Sequence, residues 1–450
     1  MNILFVQTNS NRMLVPLPIG AAMVARTLQT DGHRVRFLDL MGEKNPASIA
    51  GEVSAELQPD LVCYSVRNRD NQSMLDYHDP LPEIQKICEA VRAVCRAPAL
   101  LGGTAFTTFP ERMLEYLGAE YGIAGDAMDP VSRFVASLEA GSADMSTPGL
   151  VFRGDDGAVI TNPFHLEGYA SVHCDYHTLI DRRRYRRCYW DAAIITRSGC
   201  PEKCAYCDTF TTFGRSFILR EPSDIAAEML KLKRFGEARS VWMVDAGFNR
   251  PLDHAKEVLR EIIRTGAQLR LYAVFDPGEA DREFFRLYRK AGGVGFTLFA
   301  ESLSDPVLEA LGKSFGTAEI FRDTTMMREE GLFFMAMPTF GSPGETRATV
   351  EETLRLAPSL KAVFTEFGIG WRIQPGTPLQ QRAIDEGIIS VEDDLWEAKF
   401  YVSPQTPIDW LKRRINRFRL RHVGMYARAL PALLSMRMFT PWKWEAQEVN

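Results

Sequence analysis

The sequence has no run of the roughly 18 apolar residues that a membrane-spanning helix needs, so no transmembrane segment is predicted. Its N-terminus reads as a short strand and lacks the basic region and cleavage site of a signal peptide. Cysteine is scarce, with eight residues in 450, and three of the eight are clustered. This usage fits the reducing cytoplasm better than a disulfide scaffold.

The three clustered cysteines, Cys200, Cys204 and Cys207, have the spacing C-x₃-C-x₂-C directly after an apolar run at residues 192–196. An odd set of thiols leaves one cysteine over in any disulfide pairing. Zinc usually needs a fourth Cys or His, and none is close in the sequence. Three tightly spaced thiolates suit one corner of an iron–sulfur cubane and leave one iron open to an outside ligand. The simpler alternative is three incidental cysteines in a loop.

This cysteine spacing, with an aromatic residue before the last Cys and a strand before the loop, resembles the radical S-adenosylmethionine (SAM) superfamily. The resemblance implies a [4Fe-4S] cluster whose open iron chelates SAM, which is cleaved to a 5′-deoxyadenosyl radical. It also implies that Cys200, Cys204 and Cys207 are the metal ligands and the catalytic centre, and that Tyr206 packs near the adenine.

Short apolar runs alternate with helical segments over residues 1–140. This alternation predicts a doubly wound parallel sheet, in which ligands bind beyond the carboxyl ends of the strands. Strands are predicted at 3–6, 35–38, 61–64, 99–101 and 121–124, with helices at 19–30, 49–57, 81–94, 111–117 and 130–138.

The order of these pieces resembles the cobalamin-binding domain that precedes many radical SAM barrels. Two departures are the missing D-x-H-x-x-G motif and the sequence Gly-Asp-Ala-Met from Gly125 onward. The alternative is a Rossmann-like domain that has lost its ligand. The resemblance implies cobalamin contacts at Pro18, Ser65, Arg67, Asn68, Arg69, Gly102, Gly103, Thr104 and Gly125.

No histidine lies in the loop 65–71 after the third strand, where the resemblance puts the lower face of the cobalt. The loop offers arginines, and a guanidinium has no lone pair to give to a metal. We therefore predict cobalamin with its own base displaced and no histidine in its place. Arg69 is the first choice for that position and Arg67 the second, whereas His78 lies further along the chain.

Residues 141–190 are predicted to link two domains and to contain a hairpin around the turn Asp155-Asp156-Gly157. From residue 191 a second alternation of strands and helices runs to about residue 400. Strands at 192–196, 240–244, 269–274, 294–299, 333–338 and 364–369 predict a partial (β/α)₆ barrel with its active site at the carboxyl ends of the strands. A basic, helical segment is predicted over 401–450.

Polar residues follow several of the predicted barrel strands, at positions where the radical SAM family contacts SAM. Taken singly, each is an ordinary polar turn, but together they lie on one rim beside the cysteine loop. The residues expected to bind SAM on this resemblance are Asp245, Glu301, Ser302, Gly341, Glu345, Arg372 and Gln374.

A radical SAM barrel with cobalamin beside it implies methylation of an unactivated carbon of a small molecule, such as a natural product or a lipid. The first alternative keeps the cofactors but performs cyclisation, ring contraction or oxidation. A sensor of cobalamin or SAM is a second alternative, and the intact cysteine set argues against it. An RNA-modifying enzyme is a third, opposed by the net charge of −5 and the lack of an RNA-binding appendage.

Positive charge is concentrated in two segments. Residues 182–187 contain five arginines, which makes this segment a candidate for docking a flavodoxin- or ferredoxin-type reductase. Residues 412–443 contain nine Lys or Arg and no Asp or Glu. They are a candidate for contact with an anionic substrate, a reductase or a membrane surface. The simpler alternative is a cationic helix packed on an acidic barrel.

Overall fold

A computed structural model describes residues 1–9, 16–125, 128–164, 175–182, 184–185, 190–236 and 238–426. Two sheets dominate it, and each is built mainly of parallel strands joined by helices. The predicted α/β class, with a doubly wound sheet followed by a partial barrel, is confirmed.

The first sheet has the strand order β2-β1-β3-β4-β5-β6-β7. Its first five strands are parallel, and the order reverses between β1 and β3, which is where doubly wound sheets bind ligands. The strands are β1 (Asn2–Gln7), β2 (Arg34–Asp39), β3 (Leu61–Ser65), β4 (Ala99–Gly102), β5 (Tyr121–Ile123), β6 (Leu150–Arg153) and β7 (Val159–Thr161). The helices are α1 (Ile19–Thr30), α2 (Pro46–Leu57), α3 (Leu81–Val94), α4 (Thr104–Thr108), α5 (Pro110–Leu117) and α6 (Met128–Glu139).

Both faces of this first sheet are covered by helices. Ile3 and Phe5 pack in one core with residues of α1 and α6, whereas Leu4 and Val6 pack in the opposite core with residues of α2 and α3. Because successive strand side chains point to opposite faces, a continuous apolar strand such as β1 has to be buried on both sides.

The hairpin predicted between the domains is present as β6 and β7, but it does not bridge them. β6 pairs antiparallel with β5, with Ile123 opposite Leu150, so the hairpin extends the first sheet. Leu150 and Val151 are fully buried in the two cores of that sheet, which explains the placement. The predicted linker, which begins at residue 141, therefore wrongly includes this hairpin.

The second sheet has six parallel strands in the order β16-β14-β13-β12-β11-β8, as a partial barrel requires. Further strands form three two-stranded ribbons, β9 with β10, β15 with β17 and β18 with β19. The strands are β8 (Ala192–Ile194), β9 (Arg197–Ser198), β10 (Ile218–Leu219), β11 (Ser240–Met243), β12 (Arg270–Phe275), β13 (Gly293–Leu298), β14 (Phe333–Ala336), β15 (Thr339–Phe340), β16 (Phe364–Thr365), β17 (Gly368–Ile369), β18 (Trp371–Arg372) and β19 (Phe400–Tyr401). The helices are α7 (Thr209–Phe213), α8 (Pro222–Arg234), α9 (Leu252–Thr265), α10 (Arg282–Lys290), α11 (Asp305–Ala310), α12 (Thr317–Glu329), α13 (Arg347–Leu360), α14 (Pro378–Asp385) and α15 (Ile408–Arg421). A 3₁₀ turn, Tyr176–Leu179, precedes them.

Helix α15 packs on the barrel through Leu411, Ile415 and Phe418. Arg414 pairs with Glu351, and Arg419 pairs with Glu366 at 2.6 Å. Up to residue 426 the basic segment therefore matches the simpler alternative of a cationic helix on an acidic barrel, and residues 427–450 lie outside the described part. No described helix is both long and apolar enough to cross a membrane.

Candidate active site

The cysteine loop follows β9 and is fixed to three other segments. Gly199 has φ +77°, and a Cβ there would lie 1.9 Å from the carbonyl oxygen of Ser216, so only glycine fits. The main chain of Ala205 donates to Leu311 O and accepts from Leu379 N, both at 2.8 Å. These bonds set the path of the loop without using any cysteine side chain.

The three cysteines of the loop are free thiols and half-buried. Burial raises the pKa of the Cys204 thiol to about 12, although Lys313 opposes the shift, and burial also raises the pKa of Cys200. Cys207 Sγ donates to Thr209 Oγ1 at 3.0 Å. In the described residues no three His, Cys, Asp or Glu side chains are gathered as metal ligands. Thiols with raised pKa become thiolates when a cationic metal compensates their charge, so this donor set fits a cluster.

A buried network of Tyr206, Glu301 and Lys313 lies beside the cysteine loop. Tyr206 donates to Glu301, and Lys313 Nζ lies 3.0 Å from the tyrosine oxygen and 2.9 Å from Glu301 Oε2. Burial favours a lower pKa for Lys313, but the Glu301 carboxylate outweighs it and holds the pKa well above its usual range. Tyr206 also packs on Trp371, with ring centroids 4.2 Å apart. Lys313 and Trp371 were missed in the sequence, where neither lies in a recognisable motif.

Two of the predicted SAM contacts use their carboxylates inside the protein. Asp245 is buried and accepts from Thr196 N at 2.8 Å and Thr196 Oγ1 at 2.7 Å, which anchors the start of the cysteine loop. Glu345 is fully buried and accepts from the main-chain N–H groups of Gly341 and Ser342. Burial raises the pKa of Glu345 to about 8. Both carboxylates therefore shape loops of the rim, as buried polar groups need partners, and their direct contact with SAM stays a prediction.

Ser302 and Arg372 are committed to internal bonds in the same way. Ser302 is buried with its hydroxyl 3.2 Å from Thr353 Oγ1. The Arg372 guanidinium lies 2.9 Å from Asp70 and donates to Leu395 O at 2.8 Å, with both charged side chains 2% exposed. Gln374, which follows Arg372 by two residues in the sequence, is also buried. Of the predicted SAM side chains, Glu301 stays the best direct candidate, because it shares its network with the cysteine loop.

A cleft opens at the carboxyl ends of β1 and β3 in the first sheet. It is open to solvent on one side, and its volume together with the adjoining open space is about 320 Å³. Its wall is formed by Thr8, Asn9, Arg67, Asn68, Asp70, Asn71, His78, Pro80 and Ile84.

Glycines and hydroxyl groups position this cleft. Gly103 has φ +107°, and a Cβ there would lie 2.4 Å from Val66 O. Thr104 Oγ1 donates to Arg67 O at 2.5 Å, and Ser65 O accepts from Thr8 at 2.8 Å. Two other predicted contacts flank the region: Gly102 lies at the end of β4, and Pro18 caps α1. Gly125 packs against Phe164, where a Cβ would lie 2.5 Å from the ring, so its glycine is explained by packing.

The two arginines of the loop after β3 have different surroundings. Arg67 is exposed and lines the cleft, with its guanidinium 3.0 Å from Asn68 Oδ1. Arg69 instead pairs with Asp79 at 2.8 Å and lies 4.5 Å above the Trp396 ring. Of the two predicted arginines, Arg67 therefore lines the cleft in this structure, and the first choice of Arg69 for the lower face of the cobalt stays a prediction. His78 lines the cleft as well, because the loop doubles back and Asn71 N bonds His78 O at 3.1 Å.

Comparison with known families agrees with both sites. The radical SAM superfamily matches residues 194–357, and the B12 binding domain matches residues 11–135. Together the two matches cover more than half of the chain; the first contains the cysteine loop, and the second contains the cleft residues from Arg67 to Ile84. The chain is a cobalamin-binding radical SAM protein.

Relatives of this radical SAM protein include the tryptophan 2-C-methyltransferase of Streptomyces laurentii, 25% identical over 433 residues, with 82% of this chain and 72% of that protein covered. The hopanoid C-3 methylase of Methylococcus capsulatus is 24% identical over 324 residues, covering 68% of this chain but only 58% of that protein. The solved structure of the methyltransferase TsrM from Kitasatospora setae, with cobalamin and a [4Fe-4S] cluster bound, is 24% identical and has a TM-score of 0.79 over 90% of this chain and 88% of that one. It supports the fold.

The residues of this radical SAM protein fit the cofactors of its family. Cys200, Cys204 and Cys207 would hold the cluster, and the buried Glu301–Lys313 pair lies beside them. The cleft lined by Arg67 and Asn68 would receive cobalamin, and Gly103 lets the neighbouring chain pass close to the backbone of Val66.

Proposed function

We propose that this protein methylates an unactivated carbon of a small molecule. When bound, the cluster, SAM and cobalamin supply the radical and the methyl group. The observation that carries the proposal is that one loop, residues 66–80, contributes to the cobalamin cleft and also contacts the rim of the barrel. The structure of a relative with tryptophan substrate supports a small-molecule substrate.

The protein's own residues orient the bound ligands and exclude water from the site. Tyr206, Glu301 and Lys313 form a preorganised, buried charge network beside the thiols, so they can orient a zwitterionic ligand without rearrangement. Asp245 and Glu345 hold the loops of the rim in place. The Asp70–Arg372 pair fixes the first sheet against the rim, which sets the distance between the two sites.

The test is a count of products from SAM by the reconstituted enzyme with candidate substrates. Methylation yields S-adenosylhomocysteine and 5′-deoxyadenosine together, whereas cyclisation, ring contraction or oxidation yields 5′-deoxyadenosine without S-adenosylhomocysteine. The second outcome would contradict methyl transfer and favour the alternative.

We also infer a flavodoxin- or ferredoxin-type reductase as electron donor in the cytoplasm, because the cluster needs an external electron. In the arginine-rich segment 182–187, Arg184 pairs with Glu43 and Asp181, and residues 183, 186 and 187 lie outside the described part. If neutralising Arg182 and Arg184 leaves the salt dependence of flavodoxin-driven turnover unchanged, docking at this segment is wrong.

Peripheral membrane contact is a separate proposal, supported by the exposed Lys412, Arg413 and Leu420 of α15. Flotation of the protein with anionic vesicles tests this contact.

A further inference from the structure

Arg197 is a buried cation at the start of the cysteine loop. It belongs to β9, which leads directly into the loop, and only 4% of its surface is exposed. Arginine is rarely buried in this way, because taking its charge out of water is costly without partners. The guanidinium therefore needs compensating contacts inside the protein.

The hydrogen-bond partners of this guanidinium are main-chain carbonyls. It donates through Nε to Arg250 O and through Nη1 to Gly199 O at 2.5 Å. It also donates through Nη2 to Ala246 O at 2.7 Å and to Gly247 O at 2.8 Å. Gly199 directly precedes the first cysteine, so Arg197 ties the entry of the cysteine loop to the loop that follows β11.

Two other buried cations lie beside the cysteine loop, and both are held in ion pairs. The pairs are Lys313 with Glu301 at 2.9 Å, and Arg250 with Asp276 at 3.2 Å and with Glu202. In the described part of the chain, by contrast, the acceptors of the Arg197 side chain are all carbonyl oxygens.

The carboxylate of Asp245 lies close to Arg197 but does not pair with its guanidinium. It accepts from the main-chain N–H of Arg197 at 3.2 Å and from the hydroxyl of Thr196 at 2.7 Å. Carbonyl dipoles solvate the guanidinium without cancelling its unit charge. Arg197 is therefore a fixed positive charge next to the three cysteines.

Such a charge has a consequence for a cluster bound by the cysteines. The guanidinium stays protonated at any ordinary pH, and charges interact more strongly in a protein interior than in water. Reduction adds one negative charge to an iron–sulfur cluster, and its potential depends on nearby charges and hydrogen bonds. A neighbouring cation favours the reduced form.

We propose that Arg197 is a positioning residue that raises the reduction potential of the cluster and thereby favours its uptake of one electron. The electron comes from an external donor of the flavodoxin or ferredoxin type, and no bond is made or broken. This role depends on the cluster assignment of the three cysteines and not on methyl transfer. The potential is measured without substrate, so a failure here is distinguishable from a failure of the proposed function.

The experiment is a redox titration of the reconstituted holoenzyme, followed by the paramagnetic resonance of the reduced cluster at equal iron content. Arg197→Gln removes the charge but keeps a hydrogen-bond donor. We expect it to shift the equilibrium at least about tenfold toward the oxidised cluster, a fall of about 59 mV for a one-electron couple. Arg197→Lys keeps the charge and should recover most of this fall.

Two controls separate the charge from the tether. Glu202→Gln combined with Arg250→Gln removes one charge of each sign from the same loop. It should move the equilibrium by less than about threefold, because the net charge is unchanged. Asp245→Asn removes a negative charge, keeps an acceptor for Thr196 and should raise the potential. A fall in Asp245→Asn would indicate a loosened loop and would overturn the proposal.

The Arg197 variants decide the remaining outcomes. An unchanged potential in Arg197→Gln, an equal fall in Arg197→Lys, or an equal fall in the double variant would each overturn the proposal. Loss of iron from both Arg197 variants would leave the residue a purely structural role and would overturn it too. Loss of iron from Arg197→Gln alone would support it, because the variant that keeps the charge keeps the cluster.

Discussion

The two parallel sheets of this protein differ in where they leave room for a ligand. Helices cover both faces of the first sheet. The cleft that we assign to cobalamin therefore lies beyond the strand ends, where the strand order reverses between β1 and β3. The second is packed on one face, and its other face keeps accessible apolar surface. A sheet buried on both sides can bind only at its edge, whereas a curved sheet can also bind inside.

The difference extends to polar residues. In the first sheet, Arg67 and Asn68 face the cleft, as their position after a strand predicts. At the barrel rim, Asp245, Glu345 and Arg372 turn inward to bond the main chain or other buried side chains. A polar residue after a strand is therefore evidence of a rim and not by itself of a ligand contact.

The strongest test of this difference between the sheets removes the cysteines of the barrel rim, which we assign as ligands of a metal cluster. Cys200→Ala, Cys204→Ala or Cys207→Ala should each abolish SAM cleavage and lower the bound iron, because the cluster loses a ligand. 5′-Deoxyadenosine and iron content are measured. Cys88→Ala, which changes a buried thiol of helix α3, is the control and should retain both. Full 5′-deoxyadenosine production by any of the first three would refute the assignment.

The next test asks whether the two sheets are held as one unit. Asp70→Asn leaves the charge of Arg372 buried without its partner and should lower the free energy of unfolding by about 3–5 kcal/mol. Denaturant unfolding measures it, and Asp70→Asn combined with Arg372→Gln should recover part of the loss. Breaking the exposed Arg282–Glu329 pair by Glu329→Gln should cost less than about 1 kcal/mol. Equal losses at the two pairs would show that the buried link is no stronger than a surface pair.

A third test concerns the inward-turned Glu345. Its pKa is about 8 in the folded protein and near 4.5 when exposed, so the folded state binds the extra proton between these values. Stability should then fall as pH rises from about 4.5 to about 8, by up to a few kcal/mol. Glu345→Gln stays uncharged and should lose this slope, as denaturant unfolding at pH 6 and pH 8.5 would reveal. The same slope in the variant would assign the effect to another group.

The smallest expected effect is spectroscopic and sharpens the description of the first cleft. We expect bound cobalt(II) cobalamin to show no nitrogen superhyperfine splitting, because the exposed Arg67 faces the cleft and has no lone pair to give. Paramagnetic resonance measures this. A splitting that disappears in His78→Ala would instead identify His78, which lines the same cleft, as an axial ligand.

Much of the fold was predictable because it depends on local patterns. The strand predicted at 3–6 is Asn2–Gln7, and all six barrel strands occur in the expected order. The run 364–369 splits into β16 and β17, and β17 pairs with β15 instead of β14. Hydrophobic periodicity identifies an apolar run, but it does not reveal where the run changes the strand with which it pairs.

The site was less predictable, since its contacts join residues far apart in the chain. Lys313 meets Tyr206 across 107 positions, and Arg372 meets Asp70 across 302. His78 reaches the cleft only because its loop doubles back. Local spacing located the three cysteines, which lie on one short loop, and no local signal identifies the others.

The loop 66–80 has a consequence for engineering chimeras. Besides Asp70 and Arg69, it places Tyr77 at 6.3 Å from Phe400 and Met74 against Gly370. A graft that exchanges the first domain alone would cut all these contacts, whatever linker joins the halves. The transplantable module is therefore the first domain together with the segment from Gly370 to Phe400, two pieces that are distant in the gene but inseparable in the folded protein.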